Sequence, residues 1–548
     1  MQQRRSLRLK IPARSASAPA CCEGDPTRLA DWIAGLPLQD AQGCGRELQI
    51  ALAELNRFAT EPDNRFALLE LLRPMAHYTC SSLSRSWLHQ TLVLDEEQQS
   101  LARLAQSLQH QLAIGYKIVI VDSLRQNADF SQPLTADSAG ALIAQATHRA
   151  LSDQSRTLLR SLQLYTPAPS RLWHDSHQLH NLAGSYDFLD YPVTDPENHL
   201  RPTTRVADAY LRILLLGCSR PNMLRQSSIG ALFQVLEDWS RYVLIRPRTL
   251  DVQPFLLVDL SGDSSPVSTR NYREQVPDSD DLQELDASTL VGMLNAQLAG
   301  THGATGMLLP EFLTPELIRH VVQAWGVLSQ RAFRRVAASG HLDICVGLSI
   351  LHDLSAGQSD GRRQDRVRLA DTSPGGYGID WDGEIPASLQ TGELLGVRET
   401  ADHHWAIAVV RWLQRRGETT SIGVELLGPR ALPASARTLR ARGSQEQAAA
   451  ALLLPELKAI NQPAMLIVPP DRFKVGQKVL LEQGGRELRA LLVRSNHASV
   501  SVSFCEFELQ ELDVPEHSPW TGIEVEHLNE EDYWESVDYH TDTTPKGR

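Results

Sequence analysis

The spacing of apolar residues changes character once along this 548-residue chain, and that change limits what each part can fold into. From Pro26 to about Val243, apolar side chains return every three or four positions, as in RELQIALAELNRFA, NRFALLELLRPMA, QSLARLAQSLQHQLAIGYKIVIV and AYLRILLLGC. This period places them on one face of a helix. Breaks at Glu61-Pro62-Asp63-Asn64, at Pro167-Ala168-Pro169 and through DYPVTDPENHLRP divide the region into helices of ordinary length. Paired antiparallel helices are the simplest arrangement, and no period is clean enough to name a repeat.

Around Trp239 the pattern turns over. RYVLIRP and VQPFLLVDLSGD are rich in branched and aromatic residues bounded by proline and glycine, which predicts strands. Helices are predicted next at DASTLVGMLNAQLAG and TPELIRHVVQAWGVLSQRAF. Beyond residue 326 the segments HLDICVGLSILHDL, RVRLADTS, YGIDW, ELLGVRE, WAIAVVRWLQRR and TTSIGVELL, separated by glycine-containing turns, have the spacing of a small antiparallel barrel. The Ala-rich stretch SQEQAAAALLLPELKAI reads as a helical insertion. The strands expected after it, at PAMLIVPP, QKVLLEQ, RELRALLVR and ASVSVSFCEFELQ, either extend the same barrel or form a second one.

The fold class expected is therefore α+β and multidomain: an N-terminal all-α domain, a small mixed middle segment, and a C-terminal antiparallel β-barrel with additional strands. The expected divisions are a flexible basic arm at 1–25, a helical domain at 26–245, a mixed segment at 246–326, a barrel at 327–428, a helical insertion with extra strands at 429–512, and an acidic tail at 513–548.

Composition narrows the function classes. A formal charge of −13 argues against broad nucleic-acid binding, which needs a basic surface, so any anion site must be local. No apolar run approaches the roughly 20 residues of a membrane span. The basic start MQQRRSLRLKIPARSASAPACC lacks the apolar stretch of a secretory signal. The seven cysteines are few, odd in number and mostly set in apolar patterns, as expected of a reduced, cytoplasmic protein.

The residues with the most specific chemistry lie in the barrel region. Arg331-Ala332-Phe333-Arg334-Arg335 precedes its first strand, and Asp371-Thr372-Ser373-Pro374-Gly375-Gly376 stands at the turn out of the strand from Arg366 to Ala370. R-x-x-x-R followed, a hairpin later, by D-x-S-x-x-G resembles the signature of the PilZ family, matched here by Arg331, Arg335, Asp371, Ser373 and Gly376. WAIAVVRW and SIGVELL look like that family's later barrel strands, so the resemblance covers roughly residues 327–428. It implies a sensor of the bacterial second messenger cyclic di-GMP and not an enzyme, with no cofactor or metal besides the ligand.

The chemistry of the residues agrees with that implication. A planar guanidinium matches the adjacent O6 and N7 acceptors of guanine and also forks onto phosphate, which suits Arg331 and Arg335, with Arg334 as a third contact. Asp371 would accept from the guanine N1–H and exocyclic amine. Ser373 would donate its hydroxyl or fix the loop, while Gly375 and Gly376 permit positive φ and a close backbone approach. A hydrophilic loop from Ser355 to Arg366 adds Arg362, Arg363 and Arg366, which read more simply as a solvated loop than as extra phosphate contacts.

Other features carry less. His174, His177 and His180, at i, i+3 and i+6, step round a helix by about 60 degrees each; two could share one metal but hardly all three, and they read as the margin of a core face. Gly300 to Gly306 lacks the preceding strand and lysine of a phosphate loop and reads as a linker. Asp259 and Ser261 faintly echo the D-x-S turn, as a degenerate PilZ-like module within 246–326 would. The long helical region joined to an atypical barrel resembles a pseudomonad type of PilZ receptor, which implies a protein partner, a role in surface attachment through type IV pilus assembly, and recruitment to a cell pole. The alternatives are a structural adaptor whose PilZ-like domain no longer binds nucleotide, and an enzyme housed in the helical domain.

Overall fold

The computed structural model describes residues 7–510, except 16, 89, 91, 127–138, 249–254, 270–278, 280, 301–305, 327–334, 359–360, 440–446, 457–462, 471 and 499–500. The acidic tail and the loop around Thr301 to Thr305 therefore lie outside the described residues. Two compact units divide near residue 330.

The first unit is built on α1 (Pro26–Ala34), α2 (Ala41–Arg57), α3 (Pro62–Ser84), α4 (Glu96–Gln126), α5 (Ala139–Gln163), α6 (Leu172–Ser185), α7 (Val206–Cys218) and α8 (Gln226–Trp239). The Asp25 and Asp40 side chains cap α1 and α2 by accepting from backbone N–H groups of the first turn, and Pro62 opens α3 where its missing N–H costs nothing. A short hairpin, β1 (Pro192–Thr194) with β2 (Thr203–Arg205), occupies the Pro-rich break. α7 is buried along nearly its whole length, with Tyr210, Ile213, Leu214, Leu215 and Leu216 all inside.

The segment expected to be a flexible arm is docked onto these helices. Arg14 bonds both carboxylate oxygens of Asp122 at 2.7 and 2.8 Å, and Ser15 forms a β-bridge with Phe58. Arg14 thus finds an acid on the helical unit, which charge composition alone does not reveal.

An open four-stranded sheet follows, with β3 (Leu244–Pro247), β4 (Leu256–Asp259), β5 (Val267–Ser268) and β6 (Leu282–Asp286) in the order β3-β6-β4-β5. It is not a barrel. Ser261 donates to Asp259 within the D-x-S turn, and Asp263 accepts from the N–H groups of Arg171, Trp173 and His174 at the start of α6. The turn therefore works as a helix cap. Helices α9 (Ser288–Leu298) and α10 (Pro315–Gly326) complete the unit.

The second unit holds two barrels. The first comprises β7 (Val336–Ala337), β8 (His341–Val346), β9 (Asp365–Ser373), β10 (Gly376–Trp381), β11 (Leu394–Arg398), β12 (Ala406–Arg416) and β13 (Thr419–Gly428), with α11 (Leu348–Ser355) between β8 and β9. Its strands run β10-β13-β12-β11-β8-β9, the β9–β10 pairing closes the ring, and β7 is appended to β9. The second is a closed barrel of β14 (Leu432–Thr438), β15 (Ala449–Leu454), β16 (Met465–Val468), β17 (Lys478–Gln483), β18 (Arg486–Ala498) and β19 (Ser503–Gln510). The extra strands thus form a second barrel.

Two segments differ from the sequence expectation. HLDICVGLSILHDL is a strand only to Val346; Gly347, at φ 96°, turns the chain into α11. The Ala-rich stretch is no helical insertion in its described part, since Ala449–Leu454 is β15, paired on both sides. Ala449 and Ala451 face the interior of the second barrel, and Leu452 and Leu454 face a core shared with the first.

Candidate functional site

The candidate site lies on the outer face of the first barrel, where four strands bring one residue each into a row. In the register of the sheet, Asp371 on β9 stands opposite Gly378 on β10, Gly378 opposite Gly423 on β13, and Gly423 opposite Trp412 on β12. The two central positions have no side chain, so their neighbours lean over them. A Cβ on Gly378 would meet the Asp371 carboxylate at 2.6 Å, and one on Gly423 would meet the Trp412 indole nitrogen at 1.7 Å. The result is a glycine floor with a carboxylate at one edge and an indole at the other.

Arg335, just before β7, closes the arrangement from above. Its Nη1 donates to both Asp371 oxygens, at 2.9 and 3.3 Å, and its guanidinium carbon lies 5.9 Å from the Trp412 ring centroid. Nε and Nη2 make no hydrogen bond among the described residues. Arg335 and Asp371 are each about one-third exposed or less, so the pair is reachable from solvent without being fully hydrated.

Of the residues expected from sequence, the structure brings Arg335 and Asp371 together, whereas Arg331 and Arg334 lie outside the described residues. Asp371 and Ser373 belong to β9 itself, and the turn is Pro374-Gly375. Ser373 donates to the Gly376 carbonyl at 3.2 Å and so fixes the hairpin. Gly376 does adopt positive φ, at 148°, but the backbone it lets approach is that of β13: a Cβ there would lie 2.0 Å from the Val424 carbonyl oxygen. Gly375 does not adopt positive φ; its carbonyl accepts from Leu426 N–H at 3.1 Å. Arg362 pairs with Asp353, and Arg363 pairs with Asp365 at 3.0 Å and donates to the Glu384 carbonyl. Arg366 is exposed on β9.

Trp412, Gly378 and Gly423 lie outside both motifs. A signal was present, because a glycine inside YGIDW and another inside SIGVELL sit mid-strand, where glycine commonly marks a close approach of another group.

The histidines of α6 are structural. His177 meets the Tyr210 hydroxyl at 2.6 Å and His180 stacks on the Tyr210 ring at 4.3 Å. Burial pushes their pKa values down to about 4 and about 3. No cluster of metal-ligating residues is present among the described residues, and none of the helices among them is long and apolar enough to cross a membrane.

Comparison with known proteins covers both units. The family described as "Cyclic-di-GMP receptor FimW, N-terminal domain" matches residues 27–249, its middle PilZ domain matches 255–361 and 355–433, and its C-terminal beta-barrel domain matches 434–510. The middle match begins before the first barrel and takes in the sheet from β4 onward with α9 and α10. The Cyclic-di-GMP receptor FimW of Pseudomonas aeruginosa is 31% identical to this chain over 97% of its length and 99% of the relative's. A helical region, a PilZ barrel and a second barrel, matched in that order along nearly the whole sequence, place this chain in the FimW family of PilZ-domain proteins.

Proposed function

We propose that this chain is a receptor for cyclic di-GMP that takes the dinucleotide on the outer face of its first barrel. The observation that carries the reading is the Arg335–Asp371 pair held above the Gly378–Gly423 floor and edged by Trp412. Arg335 is already oriented and keeps Nε and Nη2 for guanine O6 and N7 or for phosphate. Asp371 accepts from the guanine N1–H and amine, so the two residues together select guanine over adenine. Trp412 supplies a flat surface for a base. Arg331 and Arg334 join from the preceding segment, and Ser373, Gly375 and Gly376 set the hairpin that presents Asp371. The likeness to the FimW relative, a cyclic-di-GMP receptor, supports the choice of ligand.

Calorimetric titration of the full chain tests the reading. Arg335→Ala and Asp371→Ala should each lose about 1–3 kcal/mol of binding, or roughly 5- to 150-fold in affinity. No heat with the unmodified protein would leave the adaptor as the better account. Nucleotide recovered unchanged by chromatography after incubation is expected of a receptor; its turnover would point to an enzyme.

The output we propose is contact with a protein partner through the helical region, in the cytoplasm, serving surface attachment through type IV pilus assembly at a cell pole. Its support is the domain order alone. Deleting residues 26–245 should remove a partner from pulldowns and abolish polar localisation of a fluorescent fusion. Polar foci that persist in the deletion would place the output elsewhere.

A further inference from the structure

A cavity of ≈ 700 Å³ lies within the helical unit, walled by α5, α8 and the chain before α7. Arg156 and Arg160 line it, one helical turn apart on the same face of α5. Elsewhere in this unit three buried arginines are matched by acids, Arg73 by Asp153 and Asp195, Arg149 by Glu70 and Asp195, and Arg212 by Glu237, while the buried Arg65 donates to the Leu55 and Phe58 carbonyls instead. Arg156 and Arg160 form no ion pair among the described residues, although Arg156 is one of the cations that help to lower the pKa values of Asp153 and Glu197. Arg160, 7% exposed, donates Nε to Gln109 at 3.0 Å. It lies beside the Cys80 thiol, which burial pushes up to about 11, so the thiol stays neutral and supplies no counter-charge. Arg156 donates only to the Glu197 carbonyl, at 2.9 Å, and its Nε is buried without a partner.

The acids on the cavity wall have other hydrogen-bond partners. Glu197 faces His77 at 2.9 Å, while Glu237 faces Arg212 at 3.3 Å and accepts from Leu200 N–H at 2.7 Å. The first turn of the 14-residue α8, with Ser227 and Ser228, also lines the cavity, and backbone N–H groups and the helix dipole favour negative charge there. The Phe233 ring, 5.8 Å from the Arg156 guanidinium, lends an apolar side. Two neighbouring guanidiniums in a partly open cleft disfavour each other, and an anion between them relieves that cost.

We propose that the helical region carries a second anion site, in which Arg156, Arg160 and the N-terminus of α8 hold the phosphoryl or carboxylate group of a small organic anion whose apolar part rests on Phe233. The site is separate from the barrel site and does not depend on it. The volume suits a metabolite-sized ligand.

Titration of the full chain with inorganic pyrophosphate and, separately, with citrate tests this, using Arg156→Gln and Arg160→Gln, with Arg335→Ala as the control. Saturable binding of at least one probe is expected, weakened tenfold or more by either α5 variant and unchanged in Arg335→Ala; the preferred probe tells phosphoryl from carboxylate. Lack of saturable heat with both probes overturns the proposal. So does binding that survives both α5 variants, or binding lost in Arg335→Ala alone, which would place the anion on the barrel. Should Arg160→Gln fail to give a native circular dichroism spectrum, the more accessible Arg156→Gln decides.

Discussion

The shape of the barrel site is set by what Gly378 and Gly423 lack. Gly423→Ala would drive a Cβ into the Trp412 indole, 1.7 Å from its nitrogen, so the ring must leave its place over the floor. The expected outcome is a tenfold or greater loss of cyclic di-GMP affinity and a shifted tryptophan emission, with a stability cost of about 1–3 kcal/mol typical of overpacking. Unchanged affinity would remove Trp412 and the glycine floor from the site. The residues that a motif can show, Arg335, Asp371 and Ser373, are legible because each stands at fixed spacing within one of two short motifs. Trp412 is not, because its place beside Asp371 depends on register across four strands. Two bulges intervene: the β9–β10 pairing skips Ala370, and Arg411 stands unpaired between Val410 and Trp412. Each bulge shifts which side chain faces out by one position, and nothing in the local sequence marks it.

Elements of the helical unit carry buried groups whose protonation ties stability to pH. Burial lowers the pKa of His148 on α5 to about 3, and those of His177 and His180 on α6 to about 4 and about 3, against about 6.5 in the unfolded chain. His110 and His320 are shifted in the same direction. Below pH 6.5 the unfolded chain therefore binds protons that the fold does not, and stability falls as the pH drops, by up to about 1.4 kcal/mol per unit for each such histidine. Asp153 and Asp195 carry depressed pKa values beside Arg73, so what they contribute is intact above the unfolded carboxylate value near 4 and is lost only below it. The histidines thus govern the first loss, between pH 6.5 and 4. Thermal scans across that window should show a falling midpoint, and His180→Phe, which keeps a ring on Tyr210, should flatten the slope; an unaltered slope would clear the histidines. Most elements here were legible from their period. α11 and β15 were not, for opposite reasons. α11 is a two-turn helix directly after a strand, so its Leu348, Leu351 and Leu354 spacing was too short to stand apart from alternation. β15 is apolar on both faces, and its Ala and Leu residues favour helix until the second barrel and the shared core claim one face each.

At the scale of the whole second unit, the two barrels are bound by one core. Cys345, Leu351, Leu394, Trp405 and Ile407 of the first meet Leu452, Leu454, Ile467 and Phe504 of the second, with α11 between them. Gly396 permits that closeness, since a Cβ there would sit 2.4 Å from Leu351 and 2.6 Å from the Cys345 sulfur. A PilZ barrel cut off after Gly428 would expose this apolar face to water, and patches of that kind promote association. Residues 335–428 alone should therefore bind a hydrophobic dye and aggregate, whereas residues 335–510 stay monomeric. The same core makes the barrels one cooperative body. Leu351 is fully buried, so Leu351→Ala should cost about 2–5 kcal/mol, and the loss should appear in both barrels, because α11 packs against each. Hydrogen exchange distinguishes the cases: protection lowered together in β10–β13 and in β14–β16 is expected of a single body. Protection lowered only in the first barrel would make the second an independent domain, and a signal from the nucleotide could then not reach it through this core.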